Sequence, residues 1–249
     1  MIVGRRKLIA GLGAGLALGG CQKILETGPV DDLASGLDLF TRDAQRLVTP
    51  RSALAREYTR AEMGPDFRAN GNRTVDSPAY RAHLADGFAN WRMTVAGMVA
   101  NPLNLSIADL QGMPARTQIT RHDCVEGWSA IGEWTGTPIK LLLDMAGVAK
   151  GARYILLRCA DRFGDVPYYE TIDLIDAYHP QTILAWRMNG APLPERHGAP
   201  LRLRVERQLG YKHAKFVTGI EVIADFREIA GGKGGYWEDR AGYQWWAGI

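Results

Sequence analysis

Cysteine is scarce: the 249-residue chain has three, Cys21, Cys124 and Cys159, and none forms a CxxC pair. That excludes a zinc ribbon, a covalent haem attachment and an iron–sulfur set held by the chain itself. Other catalytic signatures are also missing. There is no HExxH, no GxSxG elbow and no Walker loop, and the glycine run Gly231 to Gly235 stands outside any strand-to-helix context. No repeat with a period of 20–50 residues is visible. An excess of charge is missing as well, once position is considered. The formal +3 comes from 30 basic and 27 acidic residues, but residues 1–20 hold Arg5, Arg6 and Lys7 and no acid, so 27 of each sign remain in the body. A neutral body argues against nucleic acid as a partner. With 46% hydrophobic and 23% charged residues, the chain is neither disordered nor fibrous and is long enough to bury a core.

The first twenty residues read as an address. A basic start precedes a Gly/Ala/Leu-rich run from Leu8 to Gly20, which is too short for a membrane span, and small residues lie just before Cys21. Arg5-Arg6 followed by Lys-Leu-Ile resembles a twin-arginine signal, the alternative being an ordinary secretory start. Leu18-Gly19-Gly20-Cys21 resembles a lipoprotein box that places the lipid on Cys21. The twin-arginine route carries folded proteins and hints at a cofactor acquired before export. The expected organisation is a signal over 1–20, a tether over 21–50 and one catalytic domain over 51–249.

Within that domain, helical spacing predicts a helix from Ser52 to Met63. Ser77-Pro78 predicts the capped start of another over AYRAHLADGF. From Trp91 the texture becomes strand-like: WRMTVAGMV, TQITRH, RYILLRC, VPYYETI, TILAWRMN, LRLRVE and FVTGIEVIAD. Asn189-Gly190 predicts a tight turn. Thr137 as cap, Pro138 at the first position, the apolar IKLLLDMA and Gly147 beyond it predict one interrupting helix. The irregular order of strands and helices indicates an α+β architecture with mixed sheets and peripheral helices. The aromatic, glycine-interrupted tail is expected to wrap as an irregular loop anchored by its rings.

Cys124 and Cys159 admit two readings, a disulfide permitted by an exported location or two separate roles. Cys159 closes a strand. Cys124 sits in a polar turn beside Arg121 and His122, which are expected to favour its thiolate, the form that binds a soft metal.

The segment Thr120-Arg121-His122-Asp123-Cys124-Val125-Glu126-Gly127-Trp128-Ser129, followed by Trp134-Thr135-Gly136, resembles the molybdenum-binding segment of the sulfite oxidase family of molybdopterin enzymes. A second block strengthens the likeness: Met188 to Pro194, His197-Gly198-Ala199-Pro200-Leu201-Arg202, and Gly210-Tyr211-Lys212-His213-Ala214-Lys215-Phe216. Asp66 to Gly71 is similar to the family's early FxxRN-type loop. The resemblance implies the sulfite oxidase-like fold, a molybdenum–molybdopterin cofactor, and Cys124 as the metal ligand and catalytic centre. It implies cofactor-binding roles for Phe67, Arg68, Asn70, Cys159, Asp161, His197 and Arg202, and for His213, Ala214 and Lys215 at the phosphate end.

Departures narrow the substrate. Ala69 stands where sulfite oxidases carry the arginine that meets sulfite, with Arg68 adjacent. Val205-Glu206-Arg207-Gln208 replaces the usual Pro-Gly stretch, and Cys159 takes the place of a threonine in the compact bacterial branch of methionine-sulfoxide reductase catalytic subunits. The chain ends at Ile249 without the sulfite oxidases' extra dimerisation domain, so a monomer is expected. The implied protein is a periplasmic, membrane-anchored lipoprotein that reduces a sulfoxide or similar oxide with electrons from a periplasmic cytochrome or a membrane haem carrier. The alternatives are a sulfite or other small-substrate dehydrogenase and a non-catalytic binding module.

Overall fold

The computed structural model describes residues 40–249, so the signal, the lipidation at Cys21 and the tether up to residue 39 lie outside the described residues. The chain divides into two compact units, 1–47 and 48–249. The described part of the first, 40–47, is helical rather than irregular. Among the described residues no helix is long and apolar enough to cross a membrane.

The second unit contains ten strands. In chain order they are β1 (Arg92–Gly97), β2 (Leu103–Ser106), β3 (Arg116–Asp123), β4 (Ser129–Pro138) and β5 (Tyr154–Phe163), then β6 (Val166–Asp173), β7 (Ile183–Met188), β8 (Ala191–Pro192), β9 (Arg202–Arg204) and β10 (Val217–Ile223). One sheet has the order β2-β1-β10-β5-β6; the other runs β3-β4-β7-β8, with β9 also paired to β7. Only β1 and β10 run parallel, so the first sheet is mixed, as expected. Five short helices surround the sheets: α1 (Pro78–Ala85), α2 (Ile107–Gly112), α3 (Ile139–Ala146), α4 (Leu174–Ala177) and α5 (Tyr236–Ala241).

Local chemistry explains most of these elements. Ser77 Oγ accepts the Tyr80 N–H at 3.1 Å and starts α1, with Pro78 in the first turn. Along α3, Ile139, Leu142, Leu143 and Ala146 recur at helical spacing and are all buried, so one stripe faces the main core. Gly147 ends that helix at φ 68, where a side chain would be strained. The start is one residue later than expected. Thr137 belongs to β4 and donates its hydroxyl to the Leu110 carbonyl at 2.8 Å, leaving Pro138 as the cap. The Asn189-Gly190 turn forms between β7 and β8, with φ 50 and 77.

Two expectations fail, and one strand goes unannounced in the sequence. The segment 52–63 is not a helix: its only helical part is a 3₁₀ turn, Arg60–Glu62. Leu54 is exposed, so no apolar face is available to hold a helix. The chain instead lies against the edge of β3, where Tyr58 N–H donates to Ile119 O at 2.8 Å and Glu57 bridges Thr120. The glycine-broken stretch before α3 is the ten-residue β4. Gly136 permits it, because a Cβ there would sit 2.3 Å from the Leu184 carbonyl of β7. The tail is not wholly irregular either, since it contains α5, although Tyr236, Trp245 and Trp246 do anchor it by burial.

The tail is also tied by charge. Lys212 Nζ donates to Glu170 on β6 and to Glu238 on α5, each at 2.6 Å, and all three side chains are fully buried. Burial alone pushes the lysine down, but the two carboxylates outweigh it and hold its ammonium above the ordinary range. Removing the cation strands two buried carboxyls. Lys212→Ala is expected to lower unfolding stability by about 3–5 kcal/mol, read from urea unfolding with the tail tryptophans as probe; a loss near that of a surface substitution would contradict the clasp.

Candidate functional site

Cys124 is placed by a hairpin. Strands β3 and β4 pair over eight positions, and the turn between them closes with Cys124 N–H on Trp128 O at 2.9 Å and Gly127 N–H on Cys124 O at 3.0 Å. Side chains alternate along β3, so Gln118, Thr120, His122 and then Cys124 point inward while Arg121 points out. The expected electrostatics of the thiol therefore change. Arg121 is exposed and pairs with Asp123 on its own strand. His122 is buried, and burial together with the neighbouring His213 and Arg204 drops it well below its ordinary pKa, so it is neutral. Burial also pushes the Cys124 thiol up. What favours its thiolate is first a hydrogen bond from the Glu126 backbone, then one from Asn70 Nδ2 at 3.1 Å and the charge of Arg68. The disulfide reading does not hold: Cys124 and Cys159 are both free.

The early loop wraps past this hairpin. Phe67 is buried edge-on to Trp134 at 5.3 Å and to His197 at 5.6 Å, filling the space left by Gly132, where a Cβ would come within 2.9 Å of its ring. Arg68 is exposed, 5.8 Å from the centroid of Trp128. Lys215 Nζ fixes the loop by donating to the carbonyls of Asn70, at 2.8 Å, Asn72 and Arg196.

Between the loop, β9, the segment 210–215 and the β5–β6 end of the first sheet lies a cleft with about 370 Å³ of non-atom space that includes open solvent. Its polar side is made by Asn70, Asn72, Asp161, Arg202, His213 and Lys215, and its aromatic side by Phe163, Tyr168, Tyr211 and Trp237. A register shift between Arg158 and Arg162 interrupts the pairing of β5 with β6 and brings Asp161 to the cleft. Cys159, two residues earlier, stays behind the lining, and burial holds its thiol well above the ordinary range. Ala214 is buried and contributes its carbonyl to Leu203 N–H at 2.8 Å.

Several buried polar atoms here have no partner. Arg204 Nη1 donates to His122 Nδ1 at 3.0 Å, so the proton of this neutral ring is on Nε2, which is unpartnered. His213 Nε2 donates to the Gln208 carbonyl at 3.0 Å, leaving Nδ1 as a free acceptor. His197 Nδ1, Trp134 Nε1, Arg202 Nε and Asp161 Oδ1 are also unpartnered. Each such atom costs about 1–3 kcal/mol. These residues touch one another: His122 and His213 rings are 5.0 Å apart, and the Arg202 and Arg204 guanidinium groups stand 5.4 and 4.3 Å from the Trp134 ring. Orphaned donors and acceptors in and beside one cleft are what a bound polar ligand would satisfy. The group implied by the resemblance fits it: a soft thiol for the metal, cations and donors for anionic oxygens, and acceptors for ring N–H groups.

Of the residues expected at the site, Asn70, Asp161, Arg202, His213 and Lys215 line the cleft, and Cys124 joins it through Asn70. Phe67 and His197 form the packed layer behind, Arg68 lies outside, and Cys159 and Ala214 support the lining. Sequence reasoning missed Asn72, which holds Asp161 Oδ2 at 2.9 Å, and the aromatic wall. It could have found His122 from the alternation along β3.

Residues 81–228, more than half the chain, match the family described as oxidoreductase molybdopterin binding domain, and the chain belongs to that family. Its cofactor is molybdenum–molybdopterin, and the α+β fold expected from the resemblance is the one observed. The chain is 40% identical over 160 residues to a putative protein-methionine-sulfoxide reductase subunit YedZ1 from Azospira oryzae, covering 64% of this chain and 56% of that protein. It is 35% identical over 151 residues to the protein-methionine-sulfoxide reductase catalytic subunit MsrP of Xanthomonas campestris, covering 56% of this chain and 47% of MsrP. It is 34% identical to MsrP of Campylobacter jejuni over 55% of this chain and 51% of that one. The chain thus spans about half the length of the curated relatives it matches. The sulfane dehydrogenase SoxCD of Paracoccus pantotrophus shares the fold, with TM-score 0.52 and 22% identity over 58% of this chain and 42% of that one.

Two buried groups at the cleft titrate near neutrality. Burial raises Asp161 from 3.8 to about 6, and burial with Arg202 lowers Lys215 from 10.5 to about 7. The folded state holds the Asp161 proton more tightly than the unfolded chain does, so this group's contribution to stability falls as pH rises from about 4 through 6. Lys215 has the opposite sign: its contribution falls as pH drops from about 10 through 7. In cofactor-free protein, Asp161→Asn is expected to remove the acid-side fall, measured by urea unfolding at pH 4 and pH 6.5. An unchanged slope in the variant would show that Asp161 is not the group responsible.

Proposed function

We propose that this chain is an exported, lipid-anchored molybdenum oxidoreductase that reduces a sulfoxide, with protein-bound or free methionine sulfoxide as the substrate class. The supporting observation is the set of unpartnered buried atoms on the cleft lining and in the hairpin and aromatic layer packed beside it: Arg202 Nε, Asp161 Oδ1 and His213 Nδ1, with His122 Nε2, His197 Nδ1 and Trp134 Nε1. The names borne by the relatives favour sulfoxide reduction over sulfite oxidation.

The cofactor, when bound, supplies two-electron oxygen-atom transfer; converting one sulfoxide to its sulfide consumes two electrons and two protons and releases water. The chain's own residues hold and orient that group. Cys124 Sγ is the metal ligand and must give up its proton on binding, which the Glu126 backbone N–H, the Asn70 amide hydrogen bond and the Arg68 charge assist. Among the described residues no three His, Cys, Asp or Glu side chains cluster to hold a metal, which suits a single thiolate ligand beside a non-protein one. Arg202, with no carboxylate within ion-pair distance among the described residues, binds anionic oxygen of the cofactor. Asp161 Oδ1 accepts from its ring N–H groups. His213, held neutral by burial and by Arg204 and Arg202, offers Nδ1 without adding charge. Lys215 holds the early loop in place against this set, and Phe67 and Trp134 exclude water from behind it. Electrons come from a separate haem carrier, a periplasmic cytochrome or a membrane protein. The domain from residue 51 acts as a monomer in the periplasm, tethered by the lipid on Cys21.

Two experiments test this. Protein matured in a molybdenum-competent host should contain about one metal per chain, an expectation set by the single thiolate ligand, and should reduce methionine sulfoxide with a reduced dye. Cys124→Ser should lose both the metal and the activity. Metal-free wild-type protein, or turnover of sulfite alone, would overturn the reading. For export, changing Arg5 and Arg6 together to lysine should leave the precursor in the cytoplasm, seen by fractionation; undisturbed export would refute the twin-arginine route.

A further inference from the structure

The cleft is lined by polar and by aromatic residues, and one of the aromatic ones comes from outside the family-matched stretch. Phe163 and Tyr168 belong to β5 and β6, but Trp237 is supplied by the tail beyond residue 228. We propose that Trp237 is a cofactor-binding residue of this chain, an aromatic wall against which the flat pterin lies while the polar side of the cleft takes its hydrogen-bonding edge. This rests on the assignment of the cofactor to this cleft.

Trp237 is held as a wall would have to be. Its ring is parallel to Tyr243 within 25° at 6.0 Å, meets Phe163 at 5.2 Å and meets Tyr236 at 5.2 Å; Tyr236 in turn stacks on Phe163 at 4.8 Å. The residue is half-buried, with these rings around it and the cleft in front. The strap that carries it is stitched on both flanks. On one flank, Thr171 N–H of β6 donates to Gly234 O at 3.0 Å, and Trp245 Nε1 donates to Thr171 Oγ1 at 2.9 Å. On the other, Leu209 N–H donates to Ala247 O at 2.8 Å and Ile249 N–H to Arg207 O at 3.0 Å, both within the chain that leads to the His213 loop. Glu238, next to Trp237, meets Lys212, next to His213, at 2.6 Å. One ion pair therefore ties the aromatic wall to the polar side. Gly235 leaves no slack at the join, since a Cβ there would lie 2.2 Å from Glu238 and 2.5 Å from Glu170.

Chemistry selects the occupant. A site with donors and acceptors along one side, Asn72, Asp161, Arg202 and His213, and ring faces along the other suits a flat heteroaromatic ring with a polar edge. An aliphatic sulfoxide offers no such face.

The test uses full-length holoenzyme and reads cofactor retention rather than turnover. Release is followed by the fluorescence of the freed, oxidised pterin during incubation with excess unlabelled apo-protein as acceptor. Trp237→Ala is expected to release cofactor about tenfold faster than wild type, Trp237→Leu nearly as fast because it restores volume without a ring face, and Trp237→Phe close to the wild-type rate. Thermal unfolding of the apo forms checks that the variants fold; Trp237→Phe and Trp237→Leu, which keep bulk at the position, carry the comparison if the alanine form does not. Equal release by all variants would overturn the proposal. So would unchanged release with a raised KM for sulfoxide, which would place the ring against substrate. Wild-type protein without pterin would instead defeat the cofactor assignment itself, a result visible before any variant is made.

Discussion

Burying positive charge away from water is costly unless each charge finds a partner, and this protein buries five cations within one short stretch: Arg204 and Lys212 completely, Arg202, Arg207 and Lys215 nearly so, with Arg207 paired to Asp176 at 3.5 Å. How each is met organises the structure around the cleft. Arg204 forms a two-pronged pair with Glu206, with contacts at 2.9 and 2.6 Å, and Glu206 also takes the Gln118 amide at 2.8 Å. Lys212 is met by carboxylates from β6 and from the tail, which recruits two distant segments to one point. Lys215 is met by carbonyls alone, which draws the early loop in. Arg202 receives least, a single donation to the His197 carbonyl at 3.2 Å. The two cations without carboxylate ion pairs are the two that line the cleft.

Much of the fold was legible because it rests on local rules. Alternating apolar residues announced seven strands, Ser77-Pro78 announced α1, and the apolar stripe of IKLLLDMA with Gly147 announced α3. The failures have a common cause in non-local backbone contacts. The segment 52–63 has helical spacing, yet the open edge of β3 offers its backbone hydrogen bonds that an isolated, exposed helix would have to win by propensity alone. In β4, Gly132 and Gly136 look like breaks in sequence, but they mark where Phe67 and Leu184 come too close for any side chain. The short α5 hides between glycines because its stability comes from the burial of Tyr236 and the Glu238–Lys212 pair rather than from local propensity.

For the site, residue identity was more legible than environment. Cys124 and the cleft-lining cations followed from the order of two sequence blocks. The partner of the thiol did not: Asn70 reaches Cys124 across 54 positions of sequence. Nor did the charge state of the neighbourhood. Arg121 and His122 look like two cations flanking a thiol in sequence, whereas strand alternation sends one outward and burial neutralises the other. The aromatic wall was invisible because its members come from β5, β6, the basic loop and the tail, and nothing in any one segment marks them as neighbours.

The hairpin that carries Cys124 has an evolutionary corollary. Because neighbouring positions on a strand face opposite sides, the thiol's direction depends on how many residues separate it from the paired part of β3. Outward positions such as Arg121 and Thr117 can drift freely in identity. The count of residues cannot, since one inserted or deleted residue would turn His122 and Cys124 toward solvent together. Among descendants of this chain, variation in the hairpin should therefore be rich in substitution and poor in length change.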